Sequence, residues 1–231
     1  MIKLINSLDT IYDGVLVVDD LTKKEVESVW IDFSKDKNPD DFFDGDIYSV
    51  SDINEKIPSI NILKTKYSYL IYAKKTGNLI VRSLFSAGYI KTSDNYICII
   101  LDKRDRLNTI GGMASNEDFI NNKFNYNKCF IREFKEELGI DLENNDQFEM
   151  KLRYLKCPSV DEVNNSFYPV GTLFEVTTKY TSKDLLNIFN NSIHESEVKE
   201  LKFYNNNNYT DIYKYDNKTE YLDDLFNLIF K

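Results

Sequence analysis

The nine residues Arg132-Glu133-Phe134-Lys135-Glu136-Glu137-Leu138-Gly139-Ile140 decide how this chain of 231 residues folds. Their three glutamates stand at positions i, i+3 and i+4, so they share one face of a helix. Like charges at this spacing destabilise a helix by a few tenths of a kcal/mol per pair, so a positive partner is expected. Mg²⁺ is the natural candidate, because it takes oxygen ligands and is often shared between carboxylates and substrate phosphates.

The residues around this stretch predict a helix with a defined end. It runs from about Asn127 to Leu138, and Gly139 is its C-cap. Phe130, Phe134 and Leu138 recur at helical spacing, so they form the stripe that the helix buries. The glutamates then lie on the remaining, more polar side.

A predicted hairpin and a pair of glycines precede the helix. Residues 85–90 and 96–101 are apolar strand candidates, and the polar residues 91–95 between them have turn chemistry. Gly111-Gly112 follows, and adjacent glycines let the backbone approach a metal closely. Downstream, the pattern predicts strands at 148–155, 171–178 and 198–204 and helices at 182–189 and 220–230.

Arg-Glu-apolar-x-Glu-Glu-x-Gly-apolar is the core of the Nudix box, and residues 132–140 resemble it at every defined position. The resemblance implies an α+β protein whose Nudix domain, an α/β/α sandwich, spans residues 84–231. It implies that Mg²⁺ or Mn²⁺ is held by Glu133, Glu136, Glu137 and a carbonyl of Gly111 or Gly112. It also implies hydrolysis of a diphosphate by metal-activated water, with Arg132 and Glu137 in the catalytic machinery.

One feature departs from the family pattern. The separation from Gly112 to Arg132 is about six residues longer than the family pattern has. The acid that the family places six residues after the second glycine falls on Asp118, and Glu117 stands beside it. The sequence leaves open which of the two takes that place.

A plainer interpretation of the glutamates is a solvated helix face with an Arg132–Glu136 ion pair. For three glutamates in isolation that interpretation is the better one. The arginine, the glycine pair and the preceding hairpin together favour the metal site.

The sequence pattern of residues 1–83 predicts a smaller α+β segment. The pattern gives a helix from Thr22, as N-cap, to Lys35, a strand at 15–18, and strands at 47–50 and 60–63. Residues 66–72 suit a strand or a helix. This region resembles Nudix proteins that hydrolyse UDP-glucose, in the stretches Val29-Trp30, Asn38-Pro39, 43–48 and 63–68.

The loop Ile193-His194-Glu195-Ser196 also resembles a loop of those proteins. The likeness implies that Glu195 is a general base or metal ligand, with Glu197 and Glu175 as weaker alternatives. It favours a nucleotide sugar as substrate, cleaved to a nucleoside monophosphate and a sugar phosphate. Phosphate contact is one interpretation of the basic residues before the glycine pair, Lys103, Arg104 and Arg106.

The composition of the chain limits the classes of molecule that it is expected to bind. A net charge of −9 and a pI of about 4.8 disfavour nucleic acid and anionic membranes. A small-molecule nucleoside diphosphate derivative remains compatible, because bound metal reverses the local charge. Three cysteines without a C-x-x-C pair indicate a reducing, cytoplasmic setting, and no apolar run is long enough to span a membrane.

Two other functions stay open. One is hydrolysis of an mRNA cap or a dinucleotide, which the acidic charge weakens in its RNA form. The other is a Nudix-fold sensor that binds a nucleotide without cleaving it. The intact glutamate set disfavours the sensor, and the insertion before the box keeps it open. Oligomeric state does not follow from the sequence.

Overall fold

The computed structural model describes residues 1–38, 43–54, 58–158, 168–192 and 197–231. The strands are β1 (Ile2–Leu4), β2 (Asp9–Val15), β3 (Asp46–Asn54), β4 (Ser59–Lys66), β5 (Leu84–Lys91), β6 (Ile97–Asp102), β7 (Leu107–Asn108), β8 (Ile110–Met113), β9 (Phe119–Ile120), β10 (Lys123–Phe124), β11 (Phe148–Lys156), β12 (Val170–Thr178) and β13 (Val198–Tyr204). The helices are α1 (Asp20–Ser34), α2 (Tyr67–Thr76), α3 (Tyr126–Leu138), α4 (Ser182–Asn191) and α5 (Leu222–Phe230).

The large sheet has the strand order β1-β11-β12-β5-β6-β13, with β8 on β5 and β7 on β6. Strands β12 and β5 run parallel, and the other neighbours in this order run antiparallel. The predicted hairpin is confirmed as β5 and β6. The predicted downstream strands are confirmed as β11, β12 and β13.

Helices cover both faces of the large sheet. Alternate side chains of a strand point to opposite faces, so Ile90 of β5 packs with α3 and α4, whereas its neighbour Tyr89 packs with α5. Phe130 and Phe134 of α3 fill the first face, and Phe226 of α5 fills the second. The result is the α/β/α sandwich that the sequence resemblance implied.

The N-terminal segment forms a second, three-stranded sheet of order β2-β4-β3. The predicted strand at 15–18 is wrong beyond Val15, because β2 ends there and Val17 is 87% exposed. The prediction that Thr22 is the N-cap of this helix is also wrong. Helix α1 begins at Asp20, and the side chain of Asp19 accepts from the Thr22 amide at 2.9 Å. The choice left open at 66–72 resolves as helix α2.

Two short ion pairs fix the start of β3. Asp46 lies 2.7 Å from the ammonium groups of both Lys64 and Lys66 on β4. The hydrogen bond from Lys64, and after it the one from Lys66, lowers the pKa of the Asp46 carboxyl to about 2. The three-stranded sheet is therefore tied together at this edge by charge as well as by its ladder.

The N-terminal residues also reach the large sheet. Strand β1 pairs antiparallel with β11, with Ile2 opposite Lys156. A division at residue 83 stays a prediction. Within the described residues, no helix has the length and apolar character needed to cross a membrane.

Candidate active site

Helix α3 carries the candidate site, and its ends are set by local sequence. Asn125 caps the start, because its side chain accepts from the Lys128 amide at 3.0 Å. Gly139 ends the helix at a φ of 69°, a conformation that suits glycine. The predicted helix and its cap are thus confirmed, and so is the buried stripe of Phe130, Phe134 and Leu138.

Glu137 points to the glycine turn. Its Oε2 accepts from the Gly111 amide at 2.7 Å. Burial raises the pKa of Glu137 well above its usual range, and the Gly111 bond opposes that rise. Gly111 has a φ of +136°, and a Cβ there would lie 2.3 Å from the Ser86 carbonyl oxygen. Only glycine can therefore place this amide against the carboxylate.

Glu133 packs against the second glycine. A Cβ on Gly112 would lie 2.2 Å from Glu133 Oε2, so a side chain at this position would occupy the space of the carboxylate. Burial raises the pKa of Glu133 to about 7, although the neighbouring Arg132 lowers it. Both glutamates thus lie largely desolvated against the glycine pair.

Arg132 connects the glutamates to the preceding loop. Its Nη1 lies 2.7 Å from Glu133 Oε1 and donates to Glu136 Oε2 at 3.0 Å, which confirms the predicted Arg132–Glu136 pair. On its other side, Nη2 donates to Asp118 Oδ2 at 2.9 Å and Nε donates to Asp118 Oδ1 at 3.2 Å. The arginine is 17% exposed, so this network is mostly shielded from water.

Of the two adjacent acids between which the sequence did not decide, Asp118 is the one that holds Arg132 by hydrogen bonds. Asp118 is fully buried and also accepts from the Ser115 amide at 2.8 Å. Glu117 is 63% exposed and lies 3.7 Å from Arg132 Nε. A buried bidentate carboxylate holds a guanidinium more firmly than an exposed single contact.

The insertion before the box forms a small hairpin, β9 and β10. Its turn, Asn121-Asn122, has φ values of 50° and 59°, which asparagine tolerates better than most residues. The Phe119 ring stacks on Tyr48 of β3 at 4.0 Å between centroids. The insertion therefore packs on the N-terminal sheet. The Asn121-Asn122 pair, with Phe119 and Ile120 before it and Lys123 and Phe124 after it, was the available sequence signal for this hairpin.

A cavity of about 510 Å³ opens beside these residues. The described lining includes six carboxylates, those of Asp102, Glu133, Glu136, Glu137, Glu197 and Glu220. It also includes the three basic residues that the sequence singled out, Lys103, Arg104 and Arg106. Each basic side chain has an acidic neighbour: Lys103–Glu197 at 2.9 Å, Arg104–Asp102 at 3.6 Å and Arg106–Glu220 at 3.5 Å. Tyr221 and Thr219, near the start of α5, also line it.

Comparison with known proteins finds no matching family model and no matching curated protein. Among solved structures, DR0079 from Deinococcus radiodurans is 13% identical, with a TM-score of 0.52 over 81% of this chain and 100% of that chain. In this chain, Glu137 and Glu133 of the box helix lie against the glycine turn. The chain has the Nudix fold. At this identity the comparison shows the fold alone.

Two further solved structures resemble the chain more loosely. Tm1382, a candidate Nudix hydrolase, is 16% identical, with a TM-score of 0.44 over 86% of this chain and 93% of that chain. The NUDIX domain of Shewanella oneidensis NrtR, solved with ADP ribose, is 9% identical, with a TM-score of 0.41 over 71% of this chain and 97% of that chain. At TM-scores below 0.5 neither adds weight to the assignment.

The donor chemistry of the Nudix box in this chain fits a hard divalent cation. Every available ligand atom is oxygen, from carboxylates and from the glycine turn. Buried carboxylates such as Glu133 and Glu137 are costly to ionise without a cation. Even so, among the described residues no group of three His, Cys, Asp or Glu side chains is arranged to hold a metal. Arg132 Nη1 contacts both Glu133 and Glu136, at 2.7 and 3.0 Å.

The remaining predicted acids divide into three cases. Glu195 and the adjacent His194 lie outside the described residues, so their roles stay predictions. Glu197 lines the same cavity as the box glutamates. Glu175 lines a different cavity and accepts from the Tyr89 hydroxyl at 3.0 Å. The structure thus brings Glu197, and not Glu175, to the box.

Proposed function

We propose that this protein is a Mg²⁺- or Mn²⁺-dependent pyrophosphohydrolase that cleaves the diphosphate of a nucleoside diphosphate linked to another group. One observation carries the proposal: Glu133, Glu136 and Glu137 line a single cavity together with the glycine pair. Carboxylates gathered on one wall of a cavity, two of them with a raised pKa, are typical of a functional site.

The charge of the cavity supports a metal-assisted reaction. Its described lining carries twice as many carboxylates as basic side chains. A diphosphate would be repelled by such a lining unless cations entered with it. A bound divalent cation supplies Lewis acidity and lowers the pKa of water.

The residues of the chain have distinct roles in this proposal. Glu133, Glu136 and Glu137 would hold the metal, together with a carbonyl of Gly111 or Gly112. Arg132 orients the carboxylates, because it is itself fixed by Asp118 on its far side. Lys103, Arg104 and Arg106 line the same cavity, and in this proposal they would contact the phosphates of the substrate.

In the reaction itself, water adds to one phosphorus and the bridging P–O bond breaks. The water loses a proton to a base. The sequence resemblance favours Glu195 as this base, and Glu197 is the alternative among the residues that the structure describes. The products are a nucleoside monophosphate and the phosphate of the other group. A nucleotide sugar is the proposed substrate, on the likeness of residues 29–68 to UDP-glucose-hydrolysing proteins. A cavity of about 510 Å³ is of the size that accommodates such ligands.

A nucleotide sensor is the second candidate, because a specific contact favours it. Arg132 Nη1 contacts both Glu133 and Glu136, so these carboxylates already have a positive partner. In a sensor that arrangement would persist when the nucleotide binds.

Chromatographic detection of the two phosphate-ester products distinguishes the hydrolase from the sensor. The wild-type chain is assayed with nucleotide sugars, ADP-ribose, diadenosine polyphosphates and capped RNA, with Mg²⁺ and with a chelator. Glu137→Gln should abolish turnover, whereas Glu149→Gln, an exposed residue on β11, should leave it unchanged. Submicromolar to micromolar binding without turnover of any substrate would identify the sensor instead.

A cytoplasmic location is part of the proposal. It is supported by Cys98, Cys129 and Cys157, which are all buried and form no disulfide. Free thiols persist in reducing compartments.

A further inference from the structure

A second cavity, of about 440 Å³, lies under the end of helix α5. Tyr89 and Lys91 at the end of β5 line it, together with the last turn of α5 at 228–230. The first cavity is lined by Phe85 and Ala87 at the start of β5 instead. The two cavities therefore lie at opposite ends of the same strand and share no lining residue.

The wall of this second cavity contains an incomplete polar network. The Tyr89 hydroxyl donates to Glu175 Oε2 at 3.0 Å. The other oxygen of Glu175 lies 3.7 Å from Arg153 Nε, which is too far for a hydrogen bond. Arg153 Nε is buried and has no hydrogen-bond partner among the described residues. Buried donors are almost always paired, so Arg153 is incompletely satisfied by the described protein groups, and its side chain, which is 33% exposed, lines the cavity and can engage a ligand there.

The charges of the cavity favour an anionic ligand. Arg153 and Lys91 are its basic residues, and Glu175 is the one acid of its described lining. Glu175 is already engaged by Tyr89 and lies near Arg153, so part of its charge is compensated. A positive cavity on a chain of net charge −9 is a local exception. A guanidinium prefers phosphate and carboxylate groups, with which its planar donors match.

The rest of the wall favours a ring. Tyr154, Ile97 and Phe230 provide an aromatic and aliphatic surface, and Asn95 and Asn206 provide amides. Aromatic side chains stack on planar heterocycles, and amides hydrogen-bond to their edges. The volume is large enough for a ligand of nucleotide size.

We propose that this cavity binds a phosphomonoester that carries a planar ring, such as a nucleoside monophosphate. The phosphate contacts Arg153 and Lys91, and the ring packs against Tyr154 and Phe230. The site is separate from the box glutamates, so the proposal does not depend on the hydrolytic function.

Calorimetric titration of the full chain with AMP and UMP tests this site. A chelator is present, so that metal-dependent binding in the first cavity does not contribute. We expect saturable binding, weakened at least tenfold by Arg153→Gln and by Lys91→Gln. Lys179→Gln is the matched control for the second variant, since Lys179 is exposed and lines neither cavity; it should bind as the wild type does.

A second variant keeps the proposal testable if Arg153→Gln does not fold. Leu228 lines the cavity and is 49% exposed, so Leu228→Trp should fill part of the cavity and leave the fold intact. Circular dichroism checks that fold. Loss of binding in the folded Leu228→Trp variant supports the proposal.

Three results would overturn it. One is the absence of binding by the wild type at millimolar AMP and UMP. Another is unchanged binding in Arg153→Gln or in the folded Leu228→Trp variant. The third is equal affinity for inorganic phosphate, or higher affinity for benzoate, which would show that the ring or the phosphate is not recognised.

Discussion

Replacing Asp118 by asparagine tests how Arg132 is held. The substitution preserves shape and removes the charge of a fully buried carboxylate that accepts two bonds from Arg132 and one from the Ser115 amide. Removing one partner of a buried ion pair costs roughly 3–5 kcal/mol when the other charge is left alone. Arg132 keeps its contacts with Glu133 and Glu136. We therefore expect a smaller loss of unfolding free energy, of about 2–3 kcal/mol.

Denaturant unfolding of the variant measures that loss. Glu117→Gln is the matched control, because Glu117 lies 3.7 Å from the same guanidinium but is 63% exposed. An exposed pair of this kind contributes roughly 0–1 kcal/mol. Equal losses in the two variants, or a loss below about 1 kcal/mol for Asp118→Asn, would show that the buried carboxylate does not anchor Arg132.

Three further predictions concern the glycine turn, the hairpin and the N-terminal sheet. Gly112→Ala should lower kcat/KM at least tenfold with the fold retained by circular dichroism, since its Cβ would lie 2.2 Å from Glu133; unchanged turnover would contradict the turn geometry. Phe119→Ala should lower the free energy of unfolding by about 2 kcal/mol through the lost ring stack, whereas Ile120→Ala, 47% exposed, should change it by less than about 0.5 kcal/mol. Asp46→Asn should cost roughly 0.5–1 kcal/mol at pH 7. Its two lysine partners hold the pKa at about 2, so the stabilisation is present above the ordinary aspartate pKa and is lost as the pH falls to about 2. Unfolding curves of wild type and variant should converge there.

Local signals in the sequence predicted the box helix correctly. Gly139 and the stripe from Phe130 to Leu138 act within one or two helical turns, so neighbouring residues suffice to determine them. The Arg132–Glu136 pair follows from the same helical spacing.

Tertiary contacts decided what the sequence left open or misplaced. Asp118 and Glu117 are adjacent and both acidic, and only the path of the inserted hairpin buries one of them against Arg132. The β-branched run after Gly14 predicted a strand at 15–18, but β2 lies earlier because its partner is β4, with Val15 opposite Lys64 at its end. The intrinsic strand propensity of a segment does not determine where its partner strand lies.

The antiparallel pairing of β1 with β11 has a consequence for the order of folding. During synthesis the first strand emerges long before its partner, and Ile2 must wait for Lys156 to be made. Closing so large a loop is slow, because its entropy is lost before its contacts form. Until β1 arrives, β11 is an open edge to which another chain can add. Aggregation during expression should therefore increase when β1 is mutated, even where the equilibrium stability of the finished protein changes little.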